Sequence, residues 1–542
     1  MRPSQADISG APPQLAASSA ERGDVPIGPP RLYGITILTI ARCVDQQQQG
    51  DTPHMSLSAH LDAIRRAPTG PAVGAFFDFD GTLIDGYSAE SLYSHRLRHG
   101  EIGVDELVHT LRSMAGPTLT EDQFGELLAR GVAGWAGRPA ADIAELGARL
   151  FSQSIAGSLF HEMWSVVKEH QHCGHTVVIA TSATRFQVEP LARELEVDRI
   201  LCSELEAVDG LLTGRVAGRP PWAAGKAAAV TTFADATGID LSESFAYANG
   251  NEDVPFLSRV GRPCAVNAQP GLAEHARAHD WPTLRLRRGP GRLDPKPVLR
   301  TAAMYGALAG SGVAGIVIGA LTGNRRRGID LATSLFAQVG SALGDIDVRV
   351  IGEANLWAQR PAVFLINHQS SLIDLLVTTS ILRGGFTAVA KKEAASIPVL
   401  GQLLAMADFA FIDRADPEQA HQALAEARQR LTSGVSIVIS PEGTRSLTPR
   451  VGRFKKGAFH LAMQAEVPLV PIVIRNAGEL MWRNAKTARS GTVEVLVHDP
   501  ISTIGWTKAD LDRSVEQVRR LYSDTLAHWP DSATSTNLEA QS

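Results

Sequence analysis

Gly74-Ala-Phe-Phe-Asp78-Phe-Asp80-Gly81-Thr82-Leu83 places two carboxylates two residues apart at the end of an apolar run of strand length. Alternate residues of a strand face the same side, so Asp78 and Asp80 leave its carboxyl end together. One carboxylate can attack phosphorus to give an aspartyl-phosphate, while the other protonates the leaving oxygen and later activates water. A phosphate dianion beside two carboxylates is repelled, so such a site requires Mg2+ and cationic or N–H donors.

Working outward, those donors follow in a fitting order. From Gly70 to about Arg285, short apolar runs (Thr176 to Ala180, Phe245 to Ala248, Cys264 to Val266) alternate with long helical patterns. This is the rhythm of an open parallel α/β sheet, in which functional groups gather at the carboxyl ends of strands. One strand ends on the Thr181 hydroxyl, Gly225-Lys226 opens a helix with a cation, and Asn249-Gly-Asn251-Glu-Asp253 ends a third strand with oxygen donors. Alone, Thr181 reads as a helix cap and Lys226 as a solvated charge; four strand-end signals in order are far more specific. They resemble the haloacid dehalogenase superfamily, in the branch similar to phosphoserine phosphatase, over about 200 residues. The resemblance implies a Rossmann-like core with Asp78 as nucleophile, Asp80 as acid/base, and Thr181 and Lys226 on the phosphate. It puts Mg2+ at Asp78, Asp80, Asn249 and Asp253, and a helical cap over about 86–160. Two departures stand out. Asn249 occupies a place where the family usually has Asp, which also admits a phosphate-binding regulatory module without turnover. Tyr87 stands where phosphoserine phosphatases carry a substrate-binding glutamate, with Glu90 near but out of register, so another small phosphate ester is as good a substrate.

A second α/β pattern runs from about Val348, with apolar runs at Ala362 to Ile366, Phe386 to Ala390, Ser436 to Ser440, Leu469 to Ile474 and Thr492 to Val497. Asn367-His368 follows the first of these, and Asp374 lies six residues past the histidine. A histidine oriented by a carboxylate can deprotonate a hydroxyl for attack on a thioester. Phe411-Ile-Asp413-Arg414, Ser440-Pro-Glu442-Gly443-Thr444-Arg445, Phe454-Lys-Lys-Gly457 and Val467-Pro-Leu-Val-Pro471 follow. Arginine matches phosphate with a two-pronged donor set, and a Gly-Thr turn exposes N–H and hydroxyl donors, so Glu442 to Arg445 reads as a phosphate clamp. Together these blocks resemble the glycerolipid acyltransferases, closest to the 1-acylglycerol-3-phosphate acyltransferases. The resemblance implies His368 as general base, Asp374 as its orienting acid, and Arg414, Glu442, Gly443, Thr444 and Arg445 on the glycerol phosphate. It implies the Val-Pro block on the acyl side, lysophosphatidate as acceptor, and acyl-CoA or acyl carrier protein as donor. The family normally has four residues between His and Asp, whereas this chain has five, Gln369 to Ile373. The pair survives if the extra residue bulges at Ser370-Ser371.

The 542 residues, 44% of them hydrophobic, are enough for more than one core. A net charge of −5 gives no overall basic footprint, which argues against nucleic acid as a partner. Four scattered cysteines support neither a disulfide framework nor a zinc site. The expected division is a loose extension (1–69), a phosphatase domain (70–285), a basic linker with membrane-associated helices (286–347), an acyltransferase domain (348–528) and a flexible tail (529–542). Met55 opens a helical stretch and is a candidate start. Ala302 to Gly323 is nearly free of charge and long enough to cross a bilayer. Arg285, Arg287, Arg288, Arg292 and Arg300 precede it and Arg325 to Arg327 follow it, so charge picks no orientation. The reading favours a helix that dips into the cytoplasmic leaflet or pairs with Ile329 to Leu343, its basic flanks binding anionic lipids and both domains facing the cytoplasm.

Overall fold

The computed structural model describes residues 55–101, 119–197, 199–286, 295–391, 401, 409–412 and 417–530. Two seven-stranded sheets organise them. The first comprises β1 (Gly74–Phe77), β2 (Thr176–Thr184), β3 (Arg199–Val208), β4 (Leu211–Ala217), β5 (Phe245–Ala248), β6 (Arg262–Val266) and β7 (Thr283–Leu284). Their order is β4-β3-β2-β1-β5-β6-β7, and every pairing except β3 with β4 is parallel. β1 and β5 are buried along their whole length, as parallel strands covered on both faces must be. The β3–β4 hairpin lies outside the apolar runs that mark the other strands, and only Asp209-Gly210 signals it: both residues take positive φ (51° and 78°), the demand of a tight two-residue turn. Helices Ser88–Arg98, Glu121–Ala133 and Ala140–Gln153 fill the expected cap region.

This domain starts before residue 70. Helix Leu57–Arg65, capped by the Ser56 hydroxyl, buries His60 and Ile64 against the first core, with Leu57 and Leu61 beside them. The spacing of those residues makes one apolar face, so residues 55–69 belong to the domain rather than to a loose extension. His60 enters a buried polar chain: its Nε2 lies 2.9 Å from the Tyr247 hydroxyl, His170 Nε2 lies 2.7 Å from the same oxygen, and His170 Nδ1 meets His175 Nδ1 at 2.7 Å. Burial holds His60 at about 4 and His170 well below the usual histidine range, His175 and His60 adding to the latter.

Both imidazoles therefore stay neutral while the unfolded chain protonates near 6.5. A depressed folded-state pKa means that the stability is present above 6.5 and is lost as pH falls towards 4, by on the order of 3 kcal/mol for His60. His60→Phe removes this titration and leaves His170 on the Tyr247 hydroxyl. The expected outcome in denaturant unfolding is that the stability difference, wild type minus variant, shrinks between pH 6.5 and 4. A constant difference contradicts the assignment.

The second sheet comprises β8 (Ile346–Ile351), β9 (Val363–Ile366), β10 (Phe386–Lys391), β11 (Ala410–Ile412), β12 (Ser436–Ile439), β13 (Leu469–Ile474) and β14 (Gly491–Val497). Its order is β11-β10-β12-β9-β13-β14-β8, with only β13 and β14 antiparallel. Two helices precede it, α1 (Lys296–Thr322) and α2 (Arg325–Gly344), turning at Gly323-Asn324, where the Asn324 side chain caps α2. They meet backbone to backbone: a β-carbon on Gly315 would lie 2.6 Å from the Gly328 carbonyl oxygen.

The pairing of Ala302–Gly323 with the segment after it thus takes the hairpin form. It is more than a linker, however, because Met304, Ala307 and Phe336 lie in the core of the second sheet. An 18-residue window of α1 has mean hydropathy 1.7, so by length and composition this helix is able to cross a membrane. Val298, Leu299, Val313, Val317 and Leu321 stay exposed along it.

Candidate active sites

The first site forms where β1 and β5 end side by side, Phe77 paired with Tyr247. Asp78 follows β1 directly, and Lys226, in the first turn of helix Ala224–Thr237, reaches it at 2.8 Å. The same ammonium lies 2.6 Å from Asp253. All three side chains are buried. Burial opposes the lysine charge, but Asp253 and Asp78 outweigh it and hold the ammonium above its usual range. Burial likewise pushes the Asp78 carboxyl up to about 6 despite the lysine.

The Thr82 hydroxyl, a residue overlooked in the sequence, stands 3.2 Å from both Asp78 Oδ2 and Asn249 Oδ1. Gly81 has φ of 78° and the Asn249 amide fills the place of its missing side chain, so glycine is required there twice over. Asp80 turns away: its carboxylate accepts hydrogen bonds from the Ser88 N–H at 2.7 Å and the Ser88 hydroxyl at 3.1 Å. Burial raises it to about 7, against the pull of the Ser88 hydrogen bonds, so near neutrality both its acid and its carboxylate forms are populated. Thr181 lies buried on β2, two residues beyond the Ile179–Phe77 pair, and its hydroxyl accepts the Ala183 N–H.

Of the four residues expected at a metal, Asp78, Asn249 and Asp253 converge, while the Asp80 carboxylate belongs to the start of helix Ser88–Arg98. The convergent set is two carboxylates and an amide oxygen, hard donors suited to Mg2+, which ordinarily takes one or two carboxylates and completes its shell with phosphate and water. Among the described residues no group of three or more His, Cys, Asp or Glu side chains is placed to hold a metal ion; here the third oxygen donor is an asparagine. Tyr87 is half exposed, its hydroxyl 3.4 Å from Gln269 Nε2.

The second site forms at the carboxyl ends of β9 and β12. Asn367 anchors the exit of β9 by exchanging two 2.7 Å hydrogen bonds with the Ile474 backbone on β13. His368 then meets Asp374 across the five-residue spacer, Nδ1 to Oδ2 at 2.7 Å. Ser370 takes extended backbone and caps helix α3 (Ser371–Leu382), which places Asp374 in the first helical turn. The N–H groups of Gln369 and Ser370 both donate to the same Asp374 oxygen at 2.9 Å. The loop therefore wraps the carboxylate. With Nδ1–H committed to Asp374, the lone pair of His368 sits on Nε2.

Glu442 performs a task different from phosphate binding. Its two oxygens accept the backbone N–H groups of His368 at 2.9 Å and Gly452 at 2.8 Å, fixing the histidine loop. Burial raises its carboxyl. A carboxylate repels phosphate, so the clamp rests on its neighbours. Gly443 supplies the turn with φ of 74°, Thr444 is exposed, and the Ser446 N–H donates to the His368 carbonyl at 2.8 Å. Arg445 lines a cavity of about 820 Å³ together with Thr444 and Arg483. Arg414 lies outside the described residues. The Val-Pro block forms the approach to β13 and its buried first strand residues, away from open space. A separate apolar cavity of about 490 Å³ lies between the α1–α2 hairpin and α3, lined by Leu308, Ile329, Phe336 and Leu375 among others.

Comparison with known proteins gives two family matches. Residues 75–258 match the haloacid dehalogenase-like hydrolases, and residues 347–475 match the acyltransferases. The chain is similar to a 1-acyl-sn-glycerol-3-phosphate acyltransferase of Saccharomyces cerevisiae, 34% identical over 234 residues, covering 42% of this chain and 77% of the relative. It is 33% identical over 236 residues to an uncharacterized acyltransferase of Schizosaccharomyces pombe, covering 43% and 82% respectively. Among solved structures, the 1-acyl-sn-glycerophosphate acyltransferase of Thermotoga maritima aligns at 25% identity and a TM-score of 0.38, over 44% of this chain and 98% of that one.

Proposed function

This chain belongs to the acyltransferase family, with a haloacid dehalogenase-like hydrolase domain ahead of the acyltransferase one, and from that premise we propose two reactions at separate sites. The second domain transfers an acyl group from acyl-CoA or acyl carrier protein to 1-acylglycerol-3-phosphate, giving phosphatidic acid. The first hydrolyses a small phosphate monoester with Mg2+. The observation that carries acyl transfer is the His368–Asp374 pair at 2.7 Å. His368 Nε2 takes the proton of the acceptor hydroxyl as its oxygen attacks the thioester carbonyl; the C–O bond forms, the C–S bond breaks and the thiol leaves with the proton. Arg445, with Arg414, holds the acceptor phosphate, and the apolar cavity beside α3 receives an acyl chain.

In the hydrolytic site Asp78 attacks phosphorus, Asp80 protonates the leaving oxygen, and Lys226 and Thr181 bind phosphoryl oxygens. Mg2+ at Asp78, Asn249 and Asp253 would offset the phosphate charge. Asn249 favours a second reading, a phosphate-binding regulatory module. Hydrolysis of a panel of phosphate esters by the full chain, with and without Mg2+, separates the two: Mg2+-dependent release supports catalysis, and tight binding without release supports the regulatory role.

The exposed apolar face of α1 and the arginines at the hairpin turn, Arg325 to Arg327, favour attachment to anionic membranes from the cytoplasmic side. Replacing Val298, Leu299, Val313, Val317 and Leu321 together by serine leaves the buried hairpin face intact. The expected outcome is that the protein no longer floats with vesicles containing anionic lipid. Flotation equal to wild type by a folded variant places the anchor elsewhere.

A further inference from the structure

The cavity that contains Arg445 is lined by six cationic and four acidic side chains. Its acids are occupied. Glu442 binds two backbone N–H groups, Glu194 accepts the Thr448 hydroxyl at 2.8 Å, Asp512 pairs with Lys456 at 2.6 Å, and Glu516 pairs with Arg519 at 2.8 Å. Arg445 and Arg483 are different. Arg445 Nη1 donates to the Arg483 carbonyl and Arg483 Nη1 donates to the Arg445 carbonyl, so the two side chains run past each other. Among the described residues neither guanidinium has a carboxylate within ion-pair distance. Arg483 Nε is also a buried donor with no acceptor. Two adjacent half-buried cations with spare donors repel one another until an anion arrives.

We propose that Arg483 is a second phosphate-binding arginine of the acyltransferase site, acting with Arg445 as a paired clamp for the dianionic phosphate of the acceptor. This rests on the reading of the second domain as a lysophosphatidate acyltransferase. The clamp is seated on the first domain. Trp482 donates its indole N–H to the Leu447 carbonyl at 2.9 Å and covers Gly157, where a β-carbon would lie 2.6 Å from the indole ring. On the other side Asn484 donates to the Ser152 carbonyl at 3.0 Å. The hydrolase-like domain thereby fixes the backbone from which Arg483 projects, and two planar forks meet the phosphate where a single one would leave oxygens unpaired.

The test is acyl-transfer kinetics of the full chain, wild type, Arg483→Ala and Arg483→Lys, with lysophosphatidate and with uncharged 1-acylglycerol as acceptors. Arg483→Ala raises the KM for lysophosphatidate at least about tenfold with kcat within about threefold, and the preference for the charged acceptor falls by a similar factor. Arg483→Lys recovers part of it. A merely structural arginine would lower kcat for both acceptors and leave the preference unchanged, which overturns the proposal, as does an unchanged KM. Calorimetric binding of glycerol 3-phosphate in EDTA separates this from failure of the acyl-transfer reading. Weaker binding by Arg483→Ala, in a chain that makes no phosphatidic acid, keeps the clamp and rejects the reaction. Equal binding by variant and wild type rejects the clamp whatever the turnover.

Discussion

Acyl transfer by the His368→Ala variant falls by roughly 100-fold to 10,000-fold, the range expected when a general base is lost. The KM for lysophosphatidate stays nearly constant, because Arg445 and its neighbours are untouched. Asp374→Asn costs less. In the folded loop a single Asp374 oxygen accepts from His368 Nδ1, Gln369 N–H and Ser370 N–H, and an amide oxygen placed there retains those three bonds while losing the charge. Steady-state kinetics of both variants check this ordering. An unchanged kcat for Asp374→Asn with an inactive His368→Ala means that the pair does not act as a dyad.

Asp78→Asn brings phosphate release below roughly one-thousandth of the wild-type rate, because an amide cannot form the aspartyl-phosphate. The acyl-transfer rate is unaffected, since the Asp78 carboxylate is held by Lys226 and Thr82 within the first domain. The substitution also removes one of the two charges that balance Lys226, so thermal unfolding should be compared alongside. Substantial residual hydrolysis by a folded Asp78→Asn protein removes Asp78 from the role of nucleophile.

Much of the frame is legible where the chain speaks locally. β1, β5 and β13 begin and end where their apolar runs do, since strands buried on both faces need unbroken hydrophobic stretches. β3 and β4 are half exposed and mix charge with apolar residues, so only the Asp209-Gly210 turn marks them. The His368–Asp374 pairing is legible in kind, and the five-residue spacer is accommodated because Ser370 stays extended as the cap of α3 and Asp374 falls in its first turn. The motif names Glu442 without saying which atoms it faces; its carboxylate meets the His368 and Gly452 N–H groups, as its acid character favours over phosphate. Trp482 and Arg483 carry no motif at all. Their placement depends on contacts with Gly157 and Ser152, more than 300 positions earlier in the chain, which no local pattern reports.

The central claim is two independent catalytic sites in one chain. It is tested most directly by measuring phosphatidic acid formation from acyl-CoA and lysophosphatidate, alongside Mg2+-dependent phosphate release, in matched preparations of wild type, Asp78→Asn and His368→Ala. The account predicts a crossed result: Asp78→Asn loses only phosphate release, and His368→Ala loses only phosphatidic acid formation. Loss of both activities from either folded variant, or a wild-type chain that forms no phosphatidic acid, would contradict it.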